Sequence, residues 1–477
     1  MSGVDAYIDQ ALKDWEVPGL ALVVVRNDSI LHAKGYGVKE SGKPAPVTER
    51  TVFAIGSASK AFTAGLIALL VDEGKVRWDD PVAQHLPGFQ MNDPYVSKEL
   101  TLRDALSHRS GLARGDRLWY ASEYDRAEIL RRVRYLEPSW SFRSQFGYQN
   151  LMYLAAGQTA AQITGKSWDE LVRQRIFTPL GMTSSTTSTN MLRAQRDVSM
   201  PHTRINDKVA SIQWRNIDNV APAGSINSNV LDMAQWLRLQ LGNGLHAGKT
   251  IFKPATAREM HQPNIIIRSE ARTDSLLPET HLRAYGLGWF LEDYRGRKIV
   301  HHGGNIDGMS ALVWMVPEEK LGLVILTNMN ATSLPAALAH RITDLFLGDA
   351  RRDWSAEYLA FTKAAQARAA ATPNAVERAR VSGTKPTLAL DKYAGTYTNE
   401  LYGNVEVTLD NGRLVLKSGA AFVGDLEHWH YDVFRVSWRD PTLGRAFVSF
   451  TLDVRAQPEE IRIDGLANFR RAPARGN

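Results

Sequence analysis

Residues 53–75 read FAIGSASKAFTAGLIALLVDEGK, a short polar run placed directly before an apolar helical pattern. If the run after Gly56 is helical, Ser57 lies at its N-terminus and Lys60 lies one turn further along the same face. A serine hydroxyl becomes a good nucleophile when a neighbouring base takes its proton, and a helix N-terminus offers unpaired N–H groups to a developing negative charge. The spacing therefore indicates a nucleophile with its base. A helix cap followed by a solvated lysine is the alternative interpretation.

A second polar group precedes another apolar helical run, in RSQFGYQNLMYLAAG. Here Tyr148 and Asn150 are two residues apart. A phenol beside a lysine ammonium can relay a proton, and an asparagine amide can fix both a lysine and a substrate carbonyl. A packed tyrosine and a helix-capping asparagine are the structural alternative.

A third group lies between two predicted strands, in HHGGNIDGMSALVW. The triplet His302, Gly303 and Gly304 ends one strand, and glycines there let a substrate approach the strand edge. A free backbone N–H after them would complete an oxyanion hole. A glycine-rich hairpin with a structural histidine is the alternative interpretation.

The order of the elements predicts the fold class. An amphipathic helix and a hairpin around Asn27-Asp28 open the chain, short helical patterns follow to about Gly244, and four strands and a helix come after Tyr285. We expect an α/β (α+β) fold: one antiparallel sheet flanked by helices, whose strands come from both ends of this half, with a helical domain inserted between them. We predict this domain at residues 1–350, a helical linker at 351–387, and an all-β barrel domain at 388–477 that includes an Asn411-Gly412 turn.

The three groups, in this order, resemble a known family: the serine β-lactamases of class C, the D,D-peptidases and the esterases of the penicillin-binding-protein type. The resemblance covers about residues 4–348. It rests on the segments PGLALVVVRND, FAIGSASKAFTA, LTLRDALSHRSGL, YQNLMYLAAG, PAGSINSNVLDMAQWL and YGLGW. The C-terminal residues 388–473 more weakly resemble the lipocalin-like barrel appended to some of these hydrolases.

The resemblance assigns roles to residues of this chain. It implies a catalytic group formed by Ser57, Lys60 and Tyr148, and a substrate-binding group formed by Asn150, His302, Gly303, Gly304 and Asn305. The oxyanion would be held by the amides of Ser57 and Asn305, and either Lys60 or Tyr148 is the general base.

One departure from the family pattern bears on the substrate. Antibiotic-hydrolysing members carry a lysine where this chain has His302, and an imidazole with an ordinary pKa near 6.5 is mostly neutral at pH 7. We therefore expect esters, amides or D-amino-acid peptides as substrates, with weak β-lactamase activity compatible with the site. The alternative hypotheses are a penicillin-binding sensor that is acylated with little turnover, and a barrel that binds ligand beside an inactive hydrolase half.

Composition excludes several other classes. The chain has 477 residues, no cysteine and a net charge of +6 spread along its length, so we expect no disulfide, no thiolate nucleophile and no nucleic-acid partner. We expect no catalytic metal, because adjacent His301 and His302 on a strand point to opposite faces. We expect no cofactor, because glycine-rich phosphate-binding loops are absent. No apolar run is long enough for a membrane span. Homo-oligomers are compatible with the sequence, and export to the periplasm or medium with a removed leader is favoured over a cytoplasmic location.

Overall fold

The chain folds into two units. The computed structural model describes residues 3–268, 275–349, 351–371 and 375–473. The chain divides into two units, one formed by Met1–Arg114 with Glu137–Ala365 and the other by Gly115–Leu136 with Gln366–Asn477. The domain boundaries predicted at residues 350 and 388 stay a prediction.

The helices and strands have the following bounds. The helices are α1 (Val4–Trp15), α2 (Ser59–Asp72), α3 (Val82–His85), α4 (Pro94–Glu99), α5 (Leu102–Leu106), α6 (Arg126–Arg132), α7 (Asn150–Thr164), α8 (Trp168–Val172), α9 (Thr178–Leu180), α10 (Ala221–Gly224), α11 (Val230–Leu241), α12 (Pro254–Met260), α13 (Leu334–Leu347), α14 (Trp354–Ala371), α15 (Ala375–Arg378) and α16 (Leu390–Tyr393). The strands of the first unit are β1 (Gly19–Arg26), β2 (Ser29–Gly37), β3 (Phe53–Ala54), β4 (His202–Ile205), β5 (Lys208–Ser211), β6 (Asn227–Ser228), β7 (Leu245–His246), β8 (Lys249–Thr250), β9 (Ile265–Ile266), β10 (Arg283–Tyr285), β11 (Phe290–Tyr294), β12 (Arg297–Ile306), β13 (Met309–Val316) and β14 (Leu321–Thr327). Those of the second unit are β15 (Gly395–Asn399), β16 (Gly403–Asp410), β17 (Arg413–Ser418), β18 (Phe422–His430), β19 (Val433–Trp438), β20 (Arg445–Leu452), β21 (Pro458–Ile463) and β22 (Ala467–Arg471).

The main sheet has the order β2-β1-β14-β13-β12-β11-β10-β9. Strand β1 pairs antiparallel with β14, from Leu20 opposite Thr327 to Arg26 opposite Leu321. Both strands are apolar over nearly their whole length because both faces are covered. Helices α1 and α13 share one core with the sheet, and α11 packs on β1 and β14. The prediction of an antiparallel sheet that is flanked by helices and takes strands from both ends of this half of the chain is confirmed.

Helix α2 is the buried centre of this unit. All residues from Ser59 to Leu70 are buried, as expected for a helix that is apolar on every side. The hydroxyl of Thr63 donates to the carbonyl of Pro222 at 2.7 Å, and Trp168 Nε1 donates to Thr63 at 3.0 Å. These bonds fix α2 against α10 and α8, and therefore fix the polar residues at its N-terminal end.

The second unit contains the predicted C-terminal barrel. Strands β15 to β22 form a closed antiparallel barrel, which β22 completes by pairing with β15. Inward and outward residues alternate, as in β16, where Val405 and Val407 are buried and Glu406 is exposed. The interior is filled by apolar side chains, among them Tyr397, Phe434 and Phe450.

None of the helices within the described residues is both long and apolar enough to cross a membrane.

Candidate active site

Ser57 and Lys60 lie on consecutive turns at the start of α2. The α-helix begins at Ser59, two residues later than the sequence pattern predicts, and Gly56–Ala58 form a 3-10 turn before it. Lys60 stays on the side of Ser57, and its Nζ lies 3.1 Å from Ser57 Oγ. Gly56 has φ +50, a conformation that favours glycine. The turn thus presents the Ser57 hydroxyl to the amine.

Lys60 joins three separate parts of the chain. Its Nζ donates to Asn150 Oδ1 at 2.7 Å and to the carbonyl of Ala223 at 2.8 Å, while its side chain is fully buried. Asn150 is the first residue of α7, and Ala223 belongs to α10. The predicted pairing of the lysine with the asparagine is therefore present, and the carbonyl of Ala223 is a partner that sequence reasoning missed.

Tyr148 lies over the amine of Lys60. The Nζ atom is 4.7 Å from the centroid of the Tyr148 ring, and the guanidinium of Arg114 is 4.9 Å from the same ring. Both distances are within the range of cation–π interactions. The predicted serine, lysine, tyrosine and asparagine therefore meet at one point.

His108 supports the loop that carries Tyr148. Its ring lies 4.3 Å from the Tyr148 ring, between centroids, and its Nδ1 accepts the backbone N–H of Gln149 at 2.9 Å. Its carbonyl accepts the N–H of Gly147 at 2.8 Å. Burial lowers the pKa of His108 well below its ordinary value, and the charge of Lys60 acts in the same direction. The ring is neutral at pH 7, so it acts as a hydrogen-bond acceptor at Nδ1.

His302 is buried behind the site, with only 1% of its surface exposed. Its Nδ1 lies 2.6 Å from the carbonyl of Gly303, which requires a proton on Nδ1, and its Nε2 then accepts from the hydroxyl of Tyr285 at 2.8 Å. Burial lowers the pKa of His302 well below its ordinary value, and the charge of Lys60 adds to this effect. His302 is therefore a neutral ring whose two nitrogens are both engaged.

The end of β12 is in van der Waals contact with the serine turn. A Cβ atom on Gly304 would lie 1.8 Å from the carbonyl oxygen of Ile55 and 3.0 Å from the nitrogen of Ser57. A Cβ on Gly56 would lie 2.8 Å from the nitrogen of Asn305. Two glycines thus bring the backbones of Ser57 and Asn305 together, the pair of amides that the resemblance implies for an oxyanion hole. Gly303 is different, because a Cβ atom there would lie 3.7 Å from the carbonyl oxygen of Ala311, its nearest neighbour.

The predicted site residues therefore come from four elements that converge at the N-terminal end of α2. Sequence reasoning assigned no role to Tyr285, although it lies in the YGLGW segment of the resemblance. Its contact with His302 depends on how the strands pair, so the sequence alone does not reveal it.

The arrangement supplies the parts of acyl transfer. It offers a partly exposed hydroxyl, a nitrogen 3.1 Å from that hydroxyl, and two backbone amides beside it. Within the described ranges, no group of three or more histidine, aspartate or glutamate side chains is arranged to hold a metal ion.

The chain belongs to the Beta-lactamase family, whose profile matches residues 4–346, and it is thus a serine hydrolase of the β-lactamase and penicillin-binding-protein type. A second profile, described as a domain of unknown function (DUF3471), matches residues 379–473. This region includes all eight strands of the barrel.

Named relatives and solved structures agree with the family and the fold. The unguisins hydrolase ungD' of Aspergillus campestris is 30% identical over 442 residues, covering 86% of this chain and 78% of the relative. Protein flp of Staphylococcus aureus is 24% identical over 345 residues, covering 72% of this chain and 66% of flp. The octameric penicillin-binding protein homologue from Pyrococcus abyssi superimposes with a TM-score of 0.66 at 21% identity, covering 98% of this chain and 99% of that structure.

Proposed function

We propose that the protein hydrolyses esters or amides through an acyl-enzyme on Ser57. The observation that carries this proposal is the position of Lys60 Nζ, 3.1 Å from Ser57 Oγ and 2.7 Å from Asn150 Oδ1. A helix cap and a solvated lysine would not bury the amine or join it to two distant elements. The geometry is therefore better explained by nucleophile activation than by a structural role.

In the proposed mechanism, Lys60 reacts as the neutral amine with its lone pair toward Ser57. The Ser57 oxygen attacks the substrate carbonyl while this amine, assisted by Tyr148, takes the serine proton. The amides of Ser57 and Asn305 stabilise the negative charge that develops on the carbonyl oxygen. The proton then passes to the leaving alcohol or amine, and the acyl group stays on Ser57. Water attacks this ester in the second half of the reaction, with the same groups acting in reverse, and releases the acid.

The state of His302 supports a narrower substrate class. A neutral, buried imidazole followed by Gly303 provides neither a fixed cation nor a hydroxyl at the position where antibiotic-hydrolysing relatives carry a lysine. A substrate that depends on a carboxylate at this position would lose a charge-assisted hydrogen bond, a contribution of about 1.5–3 kcal/mol. We therefore propose carboxylic esters and amides of D-amino-acid peptides as preferred substrates, with β-lactams turned over weakly.

The experiment compares p-nitrophenyl acetate, a D-alanyl p-nitroanilide and a chromogenic cephalosporin as substrates of the full chain. We expect turnover of the ester or the anilide and little turnover of the lactam, and loss of all three in Ser57→Ala. A stable lactam adduct without turnover would favour the penicillin-binding sensor. Efficient cephalosporin hydrolysis would contradict the argument from His302, and activity in the Ser57→Ala variant would contradict the mechanism.

Homo-oligomer formation and export stay predictions. Light scattering of the purified chain and fractionation of cells that produce it are the corresponding measurements.

A further inference from the structure

A polar cavity of about 210 Å³ lies at one end of the barrel, inside the second unit. The turn between β15 and β16 and the end of β17 form one wall, with Tyr402 and Ser418 among their residues. Arg117 and residues 121–124 form the other wall. Because apolar side chains fill the barrel interior, the cavity lies outside the barrel, unlike the central ligand cavity of lipocalins.

Hydrogen bonds hold the two walls together. Arg132 Nη1 donates to the carbonyls of Glu400 at 2.6 Å and Leu401 at 3.0 Å. The hydroxyl of Tyr124 donates to the carbonyl of Tyr402 at 3.1 Å. The cavity is therefore built by two segments that bond to each other, and it is not a surface depression of one loop.

Arg117 places a half-buried cation in this cavity. Its guanidinium carbon lies 3.2 Å from the centroid of the Phe422 ring, and its Nη1 donates to the carbonyl of Tyr120 at 3.3 Å. Burial lowers the pKa of Arg117 to about 10, so the group is still charged at pH 7. Arg131 and Arg132, on the same segment, both bond to Glu128, whereas no ion pair within 4 Å joins Arg117 to a carboxylate in the described part of the chain.

Glu123 supplies the opposite charge on the same cavity. Its Oε1 accepts the backbone N–H of Ala420 at 3.2 Å, and it forms no ion pair with Arg117 in the described residues. The guanidinium of Arg117 and the carboxylate of Glu123 thus line one small cavity without forming an ion pair with each other. A guanidinium offers paired donors that match a carboxylate, and a carboxylate at the rim can accept from an ammonium group.

We propose that this cavity binds a free amino acid, with Arg117 holding its carboxylate and Glu123 holding its ammonium group. The volume equals roughly seven water molecules at about 30 Å³ each, which suits one small amino acid better than a long peptide. Tyr402 also lines the cavity, and it is close enough for the charge of Arg117 to act on the pKa of its phenol. The site gives the barrel a ligand-binding role that does not depend on the proposed hydrolase activity.

Isothermal titration of the full chain tests this site with three probes: D- or L-alanine, N-acetylalanine, which lacks the ammonium group, and inorganic phosphate. We expect saturable binding of alanine in the millimolar range or tighter. Arg117→Gln weakens it at least about tenfold, because a charge-assisted bond is lost. Glu123→Gln weakens alanine binding and leaves N-acetylalanine binding unchanged.

Arg131→Gln is the matched control, because Arg131 lies on the same segment but bonds to Glu128; it leaves alanine binding unchanged. Arg117→Lys keeps a cation beside Phe422 and preserves part of the affinity, which separates loss of charge from misfolding. Absence of alanine binding, or equal alanine binding in the parent chain and Arg117→Gln, would overturn the proposal. Phosphate binding as tight as that of alanine, with no effect of Glu123→Gln, would also overturn the assignment to an amino acid.

Discussion

Lys60 lies between three oxygen atoms that belong to three different elements. The partners are the hydroxyl of Ser57, the side-chain oxygen of Asn150 and the carbonyl of Ala223. Each of these three oxygens is uncharged, so these bonds orient the amine without forming an ion pair. A long, flexible side chain is thereby held in one position, which is the pre-organisation that proton transfer from Ser57 requires.

Replacing Lys60 by methionine removes the amine and nearly preserves the length of the side chain. We expect Lys60→Met to lower kcat for p-nitrophenyl acetate by about 10²- to 10⁴-fold, the usual contribution of general acid–base catalysis. Circular dichroism of the variant checks that the fold is retained. Lys75→Met, at an exposed lysine paired with Glu73, is the control and keeps full activity. Near-normal turnover in Lys60→Met would exclude the amine as the proton acceptor.

His108 is expected to act as a positioning residue through Tyr148. A glutamine at this position can accept the N–H of Gln149 but cannot reproduce the ring contact with Tyr148. We expect His108→Gln to lower kcat by about tenfold, with KM within about twofold, since loss of orientation acts on the chemical step. Steady-state kinetics measure this split. Equal kcat in the variant and the parent chain would reduce His108 to a packing role.

The site residues that could be predicted from the sequence are those that lie a few positions apart in the chain. Ser57 with Lys60 and Tyr148 with Asn150 are each separated by a few positions before an apolar helical run, and short spacings of this kind are visible in a sequence. The hydrogen bond between Tyr285 and His302, in contrast, requires the register of β10, β11 and β12. The burial that makes His302 neutral follows from that register and not from its neighbours in the chain.

Strand β12 brings its glycines against the serine turn, and the two glycines differ in the space around them. We expect Gly304→Ala to lower kcat/KM by at least about 100-fold, because its methyl group would force the backbone of Ile55 and Ser57 away, and a shift of about 1 Å is enough for such a loss. Gly303→Ala adds the same methyl group where the nearest atom is 3.7 Å away. It is the steric comparison, and we expect a smaller loss of kcat/KM than in Gly304→Ala because the added methyl group displaces no backbone atom.

Kinetics of the two variants with one ester substrate measure the difference. Equal loss of activity in both would mean that the Gly304 contact does not position the Ser57 turn.

The elements with strong turn signals were predicted correctly. Asn27 and Asp28 both have positive φ between β1 and β2, and Asn411 and Gly412 have it between β16 and β17, as two-residue hairpin turns require. The first of the four strands predicted after Tyr285, over YGLGWFLED, contains the end of β10 and most of β11. The two are separate strands because Gly288 has φ +82 and breaks the extended run. The periodicity of so short a stretch does not reveal such a break.

The composition of the second unit is a feature that the sequence did not predict. Residues 115–136 fall in the stretch predicted as short helical patterns, between the first two catalytic groups, but they belong to the same unit as the barrel. The bonds responsible join Arg132 to carbonyls near residue 400, and such long-range pairs leave no periodic signal.

The stability of the protein is expected to fall as the pH drops below about 6.5. Burial lowers the pKa of His261 to about 3, that of His301 to about 3 and that of His340 to about 4. Between these values and an unfolded pKa near 6.5, the unfolded state binds more protons, so the free energy of unfolding rises with pH. Each ring adds up to about 1.4 kcal/mol per pH unit. Glu292, whose pKa burial raises, acts in the opposite direction at pH values above the ordinary pKa of a glutamate.

Urea unfolding at pH 7, 6 and 5, followed by tryptophan fluorescence, measures this slope. We expect His261→Gln to reduce the slope below pH 6.5 by the contribution of about one proton. A stability that is independent of pH between 7 and 5 would contradict the assignment of these rings as buried and neutral.

Rapid-quench mass spectrometry with p-nitrophenyl acetate determines whether Ser57 carries the acyl group. We expect a burst of p-nitrophenol close to one equivalent per chain, an acetyl group on the peptide that contains Ser57, and loss of both in Ser57→Ala and Lys60→Met. An acetyl group on another residue, or an unchanged burst in Ser57→Ala, would contradict the proposed mechanism.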